Sequence, residues 1–346
     1  MEVNSDKSVV FNYIKFILIL GVVAIHSSIY AHCDIPANPI GRGIVLFFAN
    51  GLTKVCVPCF FLLSGYLYFN NVDRFTRATY LSKTRRRIYS LLIPYLLWNV
   101  IGLGIALLKY RFFNYPSFGV VEEGHLYIPR LVEGFWDYAN GYPYAFAFWF
   151  IRNLIIFVVL SPLAYLIGGR NVYIFGAFIV ALAAFDISLW GFEYFILGCG
   201  IATFFKKQLL EIKRSAAFPT LIIWVGIAAA TLWVDFGRFG SLMLMSASVC
   251  AFFSLYYIFR QAEPRLDNRF VSTIVASTFF IYAVHQFFVT VTLDFYIGIF
   301  NIETAAGGIA AFLLSFLTKV AVSFIVWLII MRRCMPGVTR VLSGGR

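Results

Sequence analysis

The chain alternates long apolar runs with short polar stretches. A membrane-crossing helix needs about 20 mostly apolar residues, and ten runs approach or exceed that length. They are 9–30, 44–69, 87–109, 147–167, 172–186, 189–205, 217–235, 240–259, 271–293 and 309–331. With no water in the bilayer core to satisfy backbone groups, runs of this kind fold as helices. The pattern therefore predicts an all-α polytopic membrane bundle of about ten transmembrane helices, one integral-membrane domain over residues 1–346. The fifth and sixth runs are short and nearly continuous, and Asp186 and Ser188 predict a tight turn between them.

Composition agrees. Hydrophobic residues make up 61% of the 346 and charged residues 13%, against about 45–50% and about 25% in soluble domains. The net charge of +12 sits at the ends of the runs, which points to lipid headgroups and excludes a nucleic-acid partner. Of the 28 Lys and Arg residues, nineteen fall on one side of a ten-span topology, five on the other and four within spans. By the positive-inside rule both termini are cytoplasmic. The first run is long and has no small-residue cleavage site after it, so it is expected to be an uncleaved span. The six cysteines are scattered. Cys56 and Cys59 form a C-x-x-C inside an apolar run, where packing is the expected role. Neither a metal site nor a permanently bound cofactor is expected, and the chain has no P-loop, dinucleotide fingerprint or nucleophile elbow.

Ionisable groups within spans are costly and mark functional sites. Lys15 and His26 both lie in the first run. Eleven residues of α-helix make three turns plus about 20°, so the two leave one face about 16 Å apart along the axis. Lys15 falls toward the cytoplasmic side and His26 toward the outside. Histidine can take a proton near neutral pH, so His26 could activate a hydroxyl as a nucleophile, and Lys15 could hold an anion. The run Lys83, Arg85, Arg86 and Arg87 lies at the cytoplasmic mouth of the third span. It suits a phosphate clamp as well as a headgroup anchor. Toward the outer half lie Lys54, Trp149, Arg152, Tyr282 and His285, candidates for holding a substrate. Thr278, Tyr282 and His285 are spaced to share a face. Lys54, Arg152 and Tyr282 could each stabilise an oxyanion, and Glu193 could pair with Arg152. The longest external segment, Tyr110 to Ala147, carries Glu122, Glu123, His125, Arg130, Glu133, Trp136, Asp137, Tyr138 and Asn140.

Taken together, these residues resemble the acyltransferase-3 family, the bacterial integral-membrane acyltransferases of surface polysaccharides. The resemblance runs over essentially the whole chain. It rests on the basic-x10-His spacing of Lys15 and His26, on VPCFFLLSGYL at Val57 to Leu67, and on RRIYSLLIPYLLW at Arg86 to Trp98. It continues in FWFIRNL at Phe148 to Leu154, FEYFILGCGIA at Phe192 to Ala202 and STFFIYAVHQFF at Ser277 to Phe288. It implies a ten-helix enzyme of the inner membrane that takes an acyl group, commonly acetyl, from cytoplasmic acyl-CoA. The acceptor would be a hydroxyl of a glycan or lipid-linked saccharide. His26 would be the catalytic histidine, Lys15 its paired basic residue, and Lys83, Arg86 and Arg87 part of the donor site. Family members often carry Asp three residues before the basic position, where this chain has Asn12. Two rival readings are a saccharide or lipid transporter or flippase, and a membrane component without catalysis.

Overall fold

The computed structural model describes residues 3–32, 38–72, 74–113, 121–122, 125–136, 142–185, 187–266 and 268–344. Cys33, Glu123, Asp137, Tyr138, Asn140 and Asp186 lie outside them. The fold is all-α. Among the described residues, strand pairing is confined to a two-residue antiparallel ribbon, Val121–Glu122 with His125–Leu126.

Each of the ten apolar runs coincides with helix. We label these helices α1 (Val3–Ile25), α2 (Pro39–Phe69), α3 (Arg77–Phe113), α4 (Trp149–Val159), α5 (Ser161–Gly168), α6 (Val172–Phe185), α7 (Phe192–Phe204), α8 (Arg214–Ala230), α9 (Gly240–Leu266), α10 (Arg269–Ile299) and α11 (Ala305–Cys334). A last short helix, α12, is Pro336–Leu342. Five of the described helices are long and apolar enough to cross a membrane, namely α2, α3, α9 with its leading turn, α10 and α11. The fourth run is not straight: α4 and α5 meet at an angle of 70°. Pro162 is the second residue of α5, where a missing N–H costs nothing, and it cannot continue the hydrogen-bond ladder of α4. Pro58 is absorbed in the same way. A π turn (Phe47–Gly51) and a 3-10 turn (Leu52–Val55) precede it, so it falls in the first turn of the α-helical part of α2.

The bundle is organised around α1. Val10, Phe11, Ile14, Leu18, Val22 and Val23 are all buried. The helix packs against α2, α9, α10 and α11. Two long-range bonds tie this stretch down: within α1, Tyr13 Oη donates to Leu266 O at 3.0 Å, and past its end Tyr30 Oη donates to Ile302 O at 3.0 Å. The closest helix pair is α2 with α7. A Cβ on Gly65 would stand 2.1 Å from Phe195 O, and one on Gly198 would stand 2.1 Å from Leu62 O. Only glycine allows backbones to meet this closely, a device common in membrane bundles. The connection between α6 and α7, expected to turn at Asp186 and Ser188, is described from residue 187 and turns at Trp190 and Gly191. Gly191 there has φ +98°, and the Glu193 carboxylate accepts from Leu189 N and Gly191 N, both at 3.0 Å.

Candidate active site

One large cavity, about 1210 Å³, runs alongside α1. Its wall includes both Lys15 and His26, as the helical spacing predicts. The two ends differ in chemistry. At the end marked by Tyr13 the lining carries Asn12, Lys15, Arg87, Ser272, Arg332, Thr339, Arg340 and Ser343. The middle is walled by Ile19, Val22, Leu63, Leu67, Leu91, Leu154, Val158 and Phe195. At the far end His26 stands with Tyr142, Phe146, Trp149, Thr278 and Tyr282.

His26 does not lie within α1 but just past its last residue, where the chain leaves the helix through a turn. Ser27 N donates to Ala24 O at 3.0 Å, and Ser28 N to Ile25 O at 3.3 Å. The imidazole is partly exposed to the cavity. It meets the Phe146 ring edge-on at 5.2 Å between centroids and lies 5.5 Å from the His285 ring. Phe146 and Trp149 are held by a clamped stretch of backbone. Tyr282 Oη donates to Ala147 O, Ala147 N donates to Gln286 Oε1 at 2.9 Å, and Ala145 N donates to Asn99 Oδ1 at 3.0 Å. Gln286 and Asn99 escape a search for ionisable groups, although both are amides inside apolar runs, and buried amides there have a partner to find.

A second buried layer lies behind His26. Lys319 is fully buried and donates to Ser27 Oγ at 3.3 Å and Ser315 Oγ at 2.6 Å. Ser315 continues to Thr292 Oγ1 at 3.3 Å. Ser315, Lys319 and Ser323 are spaced by four along α11 and all are buried, so a hydroxyl-lysine-hydroxyl row faces α1. His285 is fully buried; its Nδ1 contacts Ile281 O at 3.0 Å, and its Nε2 has no hydrogen-bond partner among the described residues.

At the basic end, Lys15 Nζ donates to Asn12 Oδ1 at 3.2 Å. The amide gives Lys15 an acceptor but no countercharge. Of the basic run on α3, Arg87 lines the cavity and Arg86 faces outward. Lys83 holds the end of α2: it donates to Tyr68 O at 2.6 Å and lies 5.4 Å above the Tyr68 ring.

Lys54 and Arg152 sit elsewhere than the spacing suggested. Lys54 lines a separate pocket of about 460 Å³ between α2, α8 and α9, with Trp224 and Asp235. Arg152 is buried and donates to Trp136 O at 2.6 Å and Asn153 Oδ1 at 3.4 Å, while Glu193 caps its own turn. Tyr282 lines the cavity, but its hydroxyl proton is directed to Ala147 O. Among the described residues no group of three or more His, Cys, Asp or Glu side chains is placed to hold a metal ion.

The family model described as acyltransferase domain (Acyl_transf_3) matches residues 9–330, nearly the whole chain. The chain belongs to the acyltransferase-3 family. It is therefore a multi-pass membrane acyltransferase. No curated protein and no solved structure matches it. The match includes every cavity residue of the acyltransferase from α1 to Trp327, and ends before Arg332 and α12.

Proposed function

We propose that the acyltransferase moves an acyl group, acetyl in the simplest case, from cytoplasmic acyl-CoA to a hydroxyl of a cell-surface or lipid-linked saccharide. One observation carries this reading. A cationic mouth and a histidine lie at opposite ends of a single cavity with an apolar middle. The phosphates of the donor suit the end with Lys15 and Arg87, since arginine matches phosphate by geometry as well as charge. The thin pantetheine arm then lies along Ile19, Val22, Leu63 and Leu91 and presents its thioester near His26. The acceptor approaches beside Trp149 and Tyr142, aromatic faces of the kind that pack on sugar rings. The positive-inside rule puts the cationic mouth, and both termini, on the cytoplasmic side.

His26 acts as general base. A ring nitrogen takes the proton of the acceptor hydroxyl as the oxygen attacks the thioester carbonyl carbon. The C–S bond then breaks, the thiolate of CoA leaves, and the imidazolium returns the proton to sulfur. The products are the ester and free CoA. The apolar wall between the two ends excludes water that would hydrolyse the thioester. Clamping of the 145–149 backbone by Tyr282, Gln286 and Asn99 fixes Phe146 against the imidazole, so the base is oriented before substrate arrives.

The test is transfer from labelled acetyl-CoA by membranes carrying His26→Ala. Loss of transfer at normal expression is expected, and full retained activity would overturn the assignment. Mass spectrometry of surface glycans with and without the protein identifies acyl group and acceptor together.

A further inference from the structure

The cationic mouth contains two arginines that neither the basic-x10-His spacing nor the run on α3 supplies. Arg332 and Arg340 both line the cavity with Lys15 and Arg87, and both lie beyond residue 330, where the family match ends. The tail that carries them is seated on the bundle. Leu342 and Ser343 are buried. Trp98 Nε1 donates to Leu342 O at 3.2 Å. Gly344, at φ +70°, passes so close to α3 that a Cβ would stand 2.2 Å from Ser90 O. Arg332 lies 5.3 Å over the Trp327 ring, itself part of the wall. The next residue, Arg333, carries the same charge but does not line the cavity.

We propose that the tail from Arg332 to Ser343 is part of the donor site, and that Arg332 and Arg340 read the phosphorylated nucleotide end of the acyl donor. This rests on the reading of the donor as a CoA thioester. Four cations around one mouth suit a ligand with several phosphate charges. Thr339 and Ser343 on the same wall give their hydroxyl protons to the tail's own backbone, at Met335 O and Arg340 O, which leaves the phosphates to the arginines. Lys15 and His26 are about 16 Å apart along α1, so arginines that hold the phosphates beside Lys15 set affinity for the donor and leave the chemical step alone.

The experiment measures binding of 3′,5′-ADP, the nucleotide end of CoA without its pantetheine arm, to the purified full-length protein in detergent. Wild type, Arg332→Gln, Arg340→Gln, Arg333→Gln and His26→Ala are compared. Each tail-arginine variant should weaken binding about tenfold, the scale of one lost charge-assisted pair, and Arg333→Gln and His26→Ala should bind as wild type. In turnover, the KM for acetyl-CoA should rise about tenfold in Arg340→Gln with kcat unchanged. The KM for S-acetylpantetheine, which has no phosphate, should not move. Equal weakening by Arg333→Gln would reduce the effect to net charge and overturn the proposal. So would wild-type binding by both tail variants. If wild type itself does not bind the nucleotide, the donor reading fails; if wild type binds and both tail variants match it, the tail assignment alone fails.

Discussion

Gly65→Ala tests the close approach of α2 and α7. The added Cβ would stand 2.1 Å from Phe195 O, 2.9 Å from Phe195 C and 3.1 Å from Phe195 Cα. All three are backbone atoms of a helix, so no rotamer change relieves the clash. Ordinary contact begins near 3.4 Å, and the helices must part by about 1.3 Å to reach it. Parting them loosens a whole interface, including the reciprocal contact of Gly198 with Leu62 O. Overpacking a tight core costs about 1–3 kcal/mol, and the absence of any side-chain escape places this case near the top of that range. At roughly 2 °C per kcal/mol for a chain of this size, the apparent Tm in detergent should fall by about 5 °C. Gly226→Ala on α8 is the control. Nothing lies within 4 Å of its added Cβ, and alanine is favoured over glycine within a helix by about 1 kcal/mol. Its Tm should hold or rise. Adding Gly198→Ala to Gly65→Ala should cost less than the sum, because the helices are already apart. A Tm for Gly65→Ala at or above that of wild type would refute the reasoning.

Other substitutions separate scaffolding from chemistry. Tyr282→Phe removes the donor to Ala147 O and should lower stability by about 1–2 kcal/mol with only a few-fold loss of kcat. A loss of about 10²–10³ would make the hydroxyl an oxyanion donor instead. Lys83→Met should lower the Tm, because the end of α2 loses its tie at Tyr68, while the KM for donor stays constant. Arg87→Gln should raise that KM with the Tm unchanged. Lys319→Ala leaves Ser27 and Ser315 without their shared donor and opens a void, for a cost of about 2–4 kcal/mol. Lys319→Met fills the space and should recover most of that loss, as thermal unfolding of the pair will show.

Much of this was legible in the chain because hydrophobic length and helical period are local properties. Every apolar run became helix, and Lys15 and His26 share a cavity because eleven residues bring a helix back to one face. The signals that failed were those needing azimuth or distant partners. Lys54 lies at a suitable depth, yet it faces α8 and α9, and depth along a helix does not say which neighbour a side chain meets. Of adjacent Arg86 and Arg87, one turns outward and the other inward, since successive residues are about 100° apart. Arg152 and Glu193 look like natural partners by charge, but Arg152 bonds Trp136 O and the Asn153 side chain while Glu193 caps its own turn. Arg332 and Arg340 are more than 300 residues from Lys15 and read as headgroup anchors until α12 is seen folded back onto α3. Ser315, Lys319 and Ser323 do form a visible period-four row, a signal that a count of charges by side of the membrane passes over.

The wall of Leu63, Leu67, Leu91, Leu154 and Val158 has one more effect. A greasy corridor is an insulator: ions and hydrated protons shed water to enter it and gain nothing in return. A protein with such a corridor can stand open at both mouths without short-circuiting the membrane potential. On the proposed reading it needs no rocking between inward and outward states, as a carrier does, because neither large substrate changes sides and only the small fragment handed over at His26 makes the crossing.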